Sequence, residues 1–215
     1  MEFKESSTKE NLVRAFAEIC QDNARLGFII KKAKNENFAF IALELEQMQK
    51  NKMAHATIIY ELMLEYLEKT KDNVCIESGY PFESQSLSAS IRDYGELEQY
   101  KAKNTFKHFE KIARDEGFNK VADIFKAITF VNDNNAKKLF YLADRFDNKT
   151  LYKSKEKVLW ECSNCGYADE RKAAWDNCPL CNYPKGYVKF NLQMKKDWFI
   201  ISLFNFFDFL YIQRN

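Results

Sequence analysis

Histidine is almost missing from this chain: His55 and His108 are the two among 215 residues. Neither has a Glu or Asp three positions before it, so no Glu-x-x-His pair exists. Proline (three) and glycine (six) are also scarce, and residues 1 to 147 hold a single proline, Pro81, which is helix composition. An excess of one charge is lacking too. Thirty-three Lys and Arg stand against 31 Asp and Glu, a net charge of +2 with both signs mixed throughout. That excludes the basic footprint of a nucleic-acid binder and gives no reason to expect an acidic partner. The polar start MEFKESSTKENL carries no signal-peptide pattern, so a cytoplasmic protein is expected. A membrane-spanning run is absent as well. Trp198–Ile212 is apolar and aromatic but 15 residues long, interrupted by Asn205 and Asp208, and short of the roughly 20 residues a span requires.

What the chain does have is four cysteines in two pairs, Cys162-x-x-Cys165 and Cys178-x-x-Cys181, with twelve residues between the pairs. Four thiolates on two knuckles make a tetrahedral S4 site, a geometry that suits iron or zinc. Each knuckle needs a tight turn that turns backbone N–H groups toward the sulfurs. Gly166 and Asn182 follow the knuckles, and both residue types tolerate φ > 0. Trp160, Tyr167, Trp175, Tyr183, Tyr187 and Phe190 would form an apolar shell. The module is too small for much of a core, so its metal is expected to supply most of its folding energy. Cys20 and Cys75 stand alone and read as ordinary thiols in a reducing compartment.

Before the module, helical patterns dominate. Ser7-x-x-Glu10 fits a capping box, and Leu12, Phe16, Ile19 and Leu26 then follow at helical spacing to about Lys34. A second helix is expected over Glu36–Lys69, with Phe40, Leu43, Ile58, Leu62 and Tyr66 facing inward. A long connection containing Gly79 and Pro81 leads to a third helix over Leu87–Asp115, stopped by Gly117, and a fourth over Asn119–Phe146. Two helices, a crossover and two more helices suit a ferritin-like four-helix bundle, and a generic bundle fits equally well. The expected organisation is therefore mainly α: a bundle over 1–147, a polar linker at 148–157, a four-cysteine module at 158–190 and an aromatic extension at 191–215. The extension reads as a packing arm or a disordered tail; Lys195 and Lys196 leave membrane contact as the less favoured alternative.

N-L-V-R-A-F-A at 11–17, K-I-A-R-D-E-G-F at 111–118, and C-G-Y with C-P-L-C-N-Y-P in the module resemble the rubrerythrin family, a ferritin-like bundle followed by a rubredoxin-like domain. The resemblance covers about 1–190. It implies a cytoplasmic homodimer with one iron in the four-cysteine site, zinc remaining an alternative, and peroxide reduction at a di-iron centre fed by an unidentified redox partner. It also implies carboxylate and Glu-x-x-His ligands in the bundle. At those positions this chain has Ile19 with Glu18 beside it, Lys52-x-x-His55, Glu98-x-x-Lys101 and Asn132-x-x-Asn135. Of the implied ligands His55 and Glu98 remain, and a hydrogen-bonded core role is expected for His55. The di-iron centre is accordingly expected to be absent, with Glu98 paired to Lys52 or Lys101 and the two asparagines completing a polar network. Three functions stay open at this point: one-iron electron transfer, peroxide reduction through unusual ligands, and a zinc-stabilised interaction protein.

Overall fold

The computed structural model describes residues 2–68, 73–77, 79–80, 82 and 85–189. Its helices are α1 (Ser7–Asn35), α2 (Ala39–Tyr66), α3 (Leu87–Tyr100), α4 (Phe106–Asp115) and α5 (Asn119–Asp147). A π-helical turn, Lys101–Thr105, joins α3 to α4, and the backbone stays right-handed helical through the junction. The two are thus one rod, and the bundle has four members. α1 packs chiefly on α2, and the α3–α4 rod chiefly on α5. No described helix is long and apolar enough to cross a membrane. Phe190 and the aromatic extension lie outside the described residues.

The first helix begins one residue earlier than its capping-box pattern suggests. Ser6 is extended and is the N-cap, its hydroxyl accepting from the Lys9 amide. Ser7 is already helical, and Glu10 pairs with Arg14 instead of folding back. The carboxylate at this helix start comes from the far end of α4: Glu116 accepts from the Ser7 amide at 3.0 Å, the Thr8 amide at 2.8 Å and the Thr8 hydroxyl at 2.6 Å. Those amides are the unpaired donors of a helix start, and a negative charge there also meets the positive end of the helix dipole.

α2 is rotated from the expected phase. Leu45, Met48, Lys52, Ala56, Ile59 and Leu62 form the inner stripe, while Leu43 and Ile58 are 48% and 41% exposed. Apolar side chains flank both sides of this helix, and its true inner stripe contains a lysine, so apolar spacing alone selects the wrong face.

The buried residues fall into two apolar clusters. One gathers Leu12, Ala15, Ile19, Ala56, Ile59, Phe106, Phe125 and Ile128. The other gathers Leu26, Leu45, Met48, Ile91, Tyr94, Leu139 and Leu142, and continues into Trp160, Trp175 and Val188 of the cysteine module. On every rod the residues between the two clusters are polar and buried: Asp22 on α1, Lys52 on α2, Glu98 and Lys101 on α3 and its π turn, Asn132 and Asn135 on α5.

The module is a three-stranded sheet in the order β2 (Ala168–Ala173), β1 (Lys153–Cys162), β3 (Val188–Lys189), antiparallel throughout. β1 starts within the stretch read as a linker, pairing Lys153 with Ala173. Gly186 seats the module on the bundle: a Cβ there would fall inside the carbonyl oxygen of Asn37, in the turn between α1 and α2. Close backbone contact and the shared apolar cluster give this small sheet the core it could not build alone.

Candidate metal centre and bundle centre

The two cysteine knuckles are built alike. Cys162 N–H donates to the Tyr167 carbonyl at 2.8 Å, and Gly166 N–H returns to the Cys162 carbonyl at 2.9 Å. In the second knuckle Cys178 N–H donates to the Tyr183 carbonyl at 2.8 Å, and Asn182 N–H to the Cys178 carbonyl at 2.8 Å. Gly166 and Asn182 take φ of 75° and 58°, the left-handed conformation that lets each loop close so tightly. The four Sγ atoms lie within 4.8 Å of one another. Cys162 and Cys181 are 3.7 Å apart, and Cys165 and Cys178 3.6 Å. A tetrahedral ion with metal–sulfur bonds of about 2.3 Å needs sulfur–sulfur edges of about 3.8 Å, so the donor set fits one.

The thiols do not ionise alike. Cys165 is pushed up to about 12: the Tyr167 amide favours its thiolate, but burial and the three neighbouring thiols outweigh it. Cys181 is drawn down to about 6: burial opposes ionisation, while the Tyr183 amide, the Asn164 side chain and the neighbouring thiols favour it. Trp160 and Trp175 are buried behind the site, with Tyr167 edge-on to Trp175 at 5.3 Å. Tyr183 is more open than an enclosing shell requires, and Cys165 and Cys181 form the partly exposed edge. Cys20 and Cys75 are exposed.

At the bundle centre, four charged side chains interlock. Lys52, 1% exposed, donates to Glu98 Oε1 at 2.6 Å and to Asn132 Oδ1 at 2.9 Å, and lies 3.2 Å from Asp22 Oδ2. Lys101 donates to Asp22 Oδ1 at 2.6 Å, and Asn135 Nδ2 donates to Glu98 Oε2 at 3.0 Å. Lys52 is therefore the partner of Glu98, and Lys101 takes Asp22 instead. Burial opposes the charge on Asp22, but Lys52 and Lys101 together hold its carboxyl below the ordinary value. Burial likewise opposes the charge on Lys52, and Glu98 and Asp22 raise it above the ordinary lysine value. Glu18 stands at the edge, 3.9 Å from Lys101; burial raises its carboxyl despite that lysine. Burial, then Glu98 and Asp22, push the Tyr94 phenol well up. His55 is half-buried, and its Nδ1 has no hydrogen-bond partner, contrary to the bonded core role expected of it. Burial and then Lys52 depress its imidazole to about 4.

A family model described as rubrerythrin matches residues 10–133, and one described as the rubrerythrin rubredoxin-like domain matches 160–189. The chain belongs to the rubrerythrin family. Among its relatives, the rubrerythrin of Clostridium perfringens is 29% identical over 187 residues, covering 86% of this chain and 95% of that one. The rubrerythrin of Porphyromonas gingivalis is 27% identical over 187 residues, covering 86% and 90%. The partially reduced state of nigerythrin shares the fold with a TM-score of 0.57 at 22% identity, covering 86% of this chain and 89% of that one.

Carboxylate-bridged di-iron bundles draw glutamates and Glu-x-x-His pairs from their four helices. The rubrerythrin resemblance puts Ile19, Lys52, His55, Glu98, Lys101, Asn132 and Asn135 at those positions in this chain. Two ammonium groups, two amides and one aliphatic side chain among seven positions do not fit a pair of divalent cations, whatever His55 and Glu98 contribute. Asp22 is the member of the bundle centre that family register misses. It lies one helical turn beyond Ile19, and its signal is its place within the stripe of Leu12, Ala15, Ile19, Leu26 and Ile29.

Proposed function

We propose that this rubrerythrin-family protein transfers single electrons through one iron held by Cys162, Cys165, Cys178 and Cys181, and that its bundle performs no di-iron peroxide chemistry. The observation that carries the reading is the contrast in donors: four converging sulfurs in the module, two lysines and two asparagines at the bundle centre. Iron bound by four thiolates supplies a one-electron couple and leaves no position open for substrate. The chain's own groups tune and shelter that site. The Tyr167 and Tyr183 amides stabilise negative charge on Cys165 and Cys181, one lever on the potential of such a centre. Trp160 and Trp175 keep water from its inner side, and the half-exposed Cys165 and Cys181 leave a short path to a partner protein. A reducing cytoplasm suits four unpaired thiols. A homodimer suits the exposed apolar side chains of α2, among them Met53, Ile58, Tyr60 and Leu64.

The test is iron and zinc per chain in anaerobically purified protein, with its visible spectrum. One iron and a red colour that bleaches reversibly on reduction are expected. One zinc and no colour would make the site structural. About three irons would return peroxide reduction at a di-iron centre.

A further inference from the structure

We infer that Lys52 and Lys101 are built-in cations standing where a metal pair would stand, so that the bundle centre is a carboxylate site closed to divalent cations by its own ammonium groups. The inference deepens the reading that the bundle works without a di-iron centre, and rests on it. Asp22 carries the argument. It presents one oxygen to each lysine, Oδ1 to Lys101 at 2.6 Å and Oδ2 to Lys52 at 3.2 Å, which is a carboxylate bridging two cations. Glu98 is the terminal carboxylate, with Oε1 on Lys52 and Oε2 capped by the Asn135 amide. The two ammonium charges match the two fully buried carboxylates, Asp22 and Glu98, without any ion from solution. Its members come from every rod of the bundle, so it ties the four together as a shared metal centre would.

Without the lysines, potential ligands for a cation would remain at the bundle centre. Asp22, Glu98 and Glu18 supply carboxylates. His55, three residues after Lys52, keeps a buried Nδ1 with no hydrogen-bond partner. Carboxylates with an imidazole suit a hard or borderline divalent ion. What excludes one is the positive charge already in place, acting in a dry interior where like charges repel strongly.

The test uses full-length protein with zinc in the cysteine site, so that the thiolates are occupied, and Mn²⁺ as the probe because it prefers oxygen donors. Wild type should neither bind Mn²⁺ at the bundle nor gain melting temperature from it. Lys52→Ala/Lys101→Ala should bind Mn²⁺ at least about tenfold more tightly than the weak surface binding of wild type. Adding Asp22→Asn should abolish the gain. If the double variant does not fold alone, refolding with Mn²⁺ becomes the readout, and rescue that Asp22→Asn removes supports the inference. A double variant that neither gains affinity nor is rescued overturns it, as does wild type whose melting temperature rises with Mn²⁺ through Asp22. Zinc in place of iron in the native module would defeat the electron-transfer reading and leave this result untouched.

Discussion

The cysteine module and the bundle centre solve opposite electrostatic problems. In the module four groups of one kind converge, with sulfurs 3.6 and 3.7 Å apart and no cation of the chain's own among them. Ionising more than one thiol there means like-charge repulsion, and only a bound ion relieves it. In the bundle the convergence is between opposites. Each buried carboxylate touches an ammonium group, Asn132 accepts from Lys52, and Asn135 donates to Glu98. One centre therefore gains stability from a ligand, and the other pairs its buried charges within the chain.

Taking the metal from the module should give the largest effect. Four-ligand sites contribute apparent binding energies of about 10–16 kcal/mol, and here that energy is coupled to folding of the sheet. Cys162→Ser should lose the metal and the near-ultraviolet signals of the packed Trp160 and Trp175. The helical far-ultraviolet signal should persist, because the polar layer and the distal cluster do not depend on the module. Helices melting together with the module would break the contrast, making the bundle metal-dependent at second hand. The corresponding cut in the bundle is Glu98→Gln, which leaves Lys52 with Asp22, an acid it shares with Lys101. Breaking a buried pair costs about 3–5 kcal/mol, read as a drop in chemical-denaturation stability. Glu98→Leu with Lys52→Met should recover part of it, since removing both charges strands neither, while Asn132 and Asn135 lose their partners.

How much of this can be read beforehand follows from how local each signal is. The S4 site is fully legible because its ligands, turns and glycine lie within a few residues of one another. The link between Glu98 and a lysine is legible from register, since Lys52 and Lys101 fall where family ligands are expected. Asp22 is not, because the family position is Ile19 and a search for apolar residues passes over the acid one turn away. The same habit of seeking only apolar residues inside a helix misplaces the inner face of α2, where Lys52 occupies a core position. The π turn at Lys101–Thr105 has no residue signature in K-A-K-N-T. Its widened turn aims Lys101 inward and re-phases α4 so that Phe106, Phe109 and Ala113 continue the buried face. That is a requirement of packing between helices distant in sequence, which no local pattern carries.

Acid should separate the two centres further, through His55. Its imidazole is depressed from 6.5 to about 4 in the folded chain, by burial first and Lys52 second. The unfolded chain therefore binds the proton more readily between those values. The stability that a neutral His55 contributes is complete above pH 6.5 and is lost as pH falls toward 4. The shift corresponds to roughly 3 kcal/mol. His55→Gln should flatten the stability profile over that window. An unchanged profile would mean that neither burial nor Lys52 depresses the imidazole in the folded chain.

The smallest effect sharpens the comparison from outside both centres. Glu116 is a carboxylate held by three neutral donors with no cation at all: the Ser7 and Thr8 amides and the Thr8 hydroxyl. Burial works against its charge, and those hydrogen bonds together outweigh it and keep its carboxyl below the usual value. Its contribution is thus present above the unfolded carboxyl range and lost as pH falls through the lowered one. Solvent screens it, so Glu116→Gln should cost only about 1 kcal/mol, the scale of a helix cap. Denaturation at low and high salt distinguishes the cases. The Glu116→Gln penalty should shrink with salt, while that of Glu98→Gln should hold, because ions in solution do not reach a carboxylate that is 0% exposed. Equal salt sensitivity at both positions would place water, and with it mobile counter-ions, inside the bundle centre.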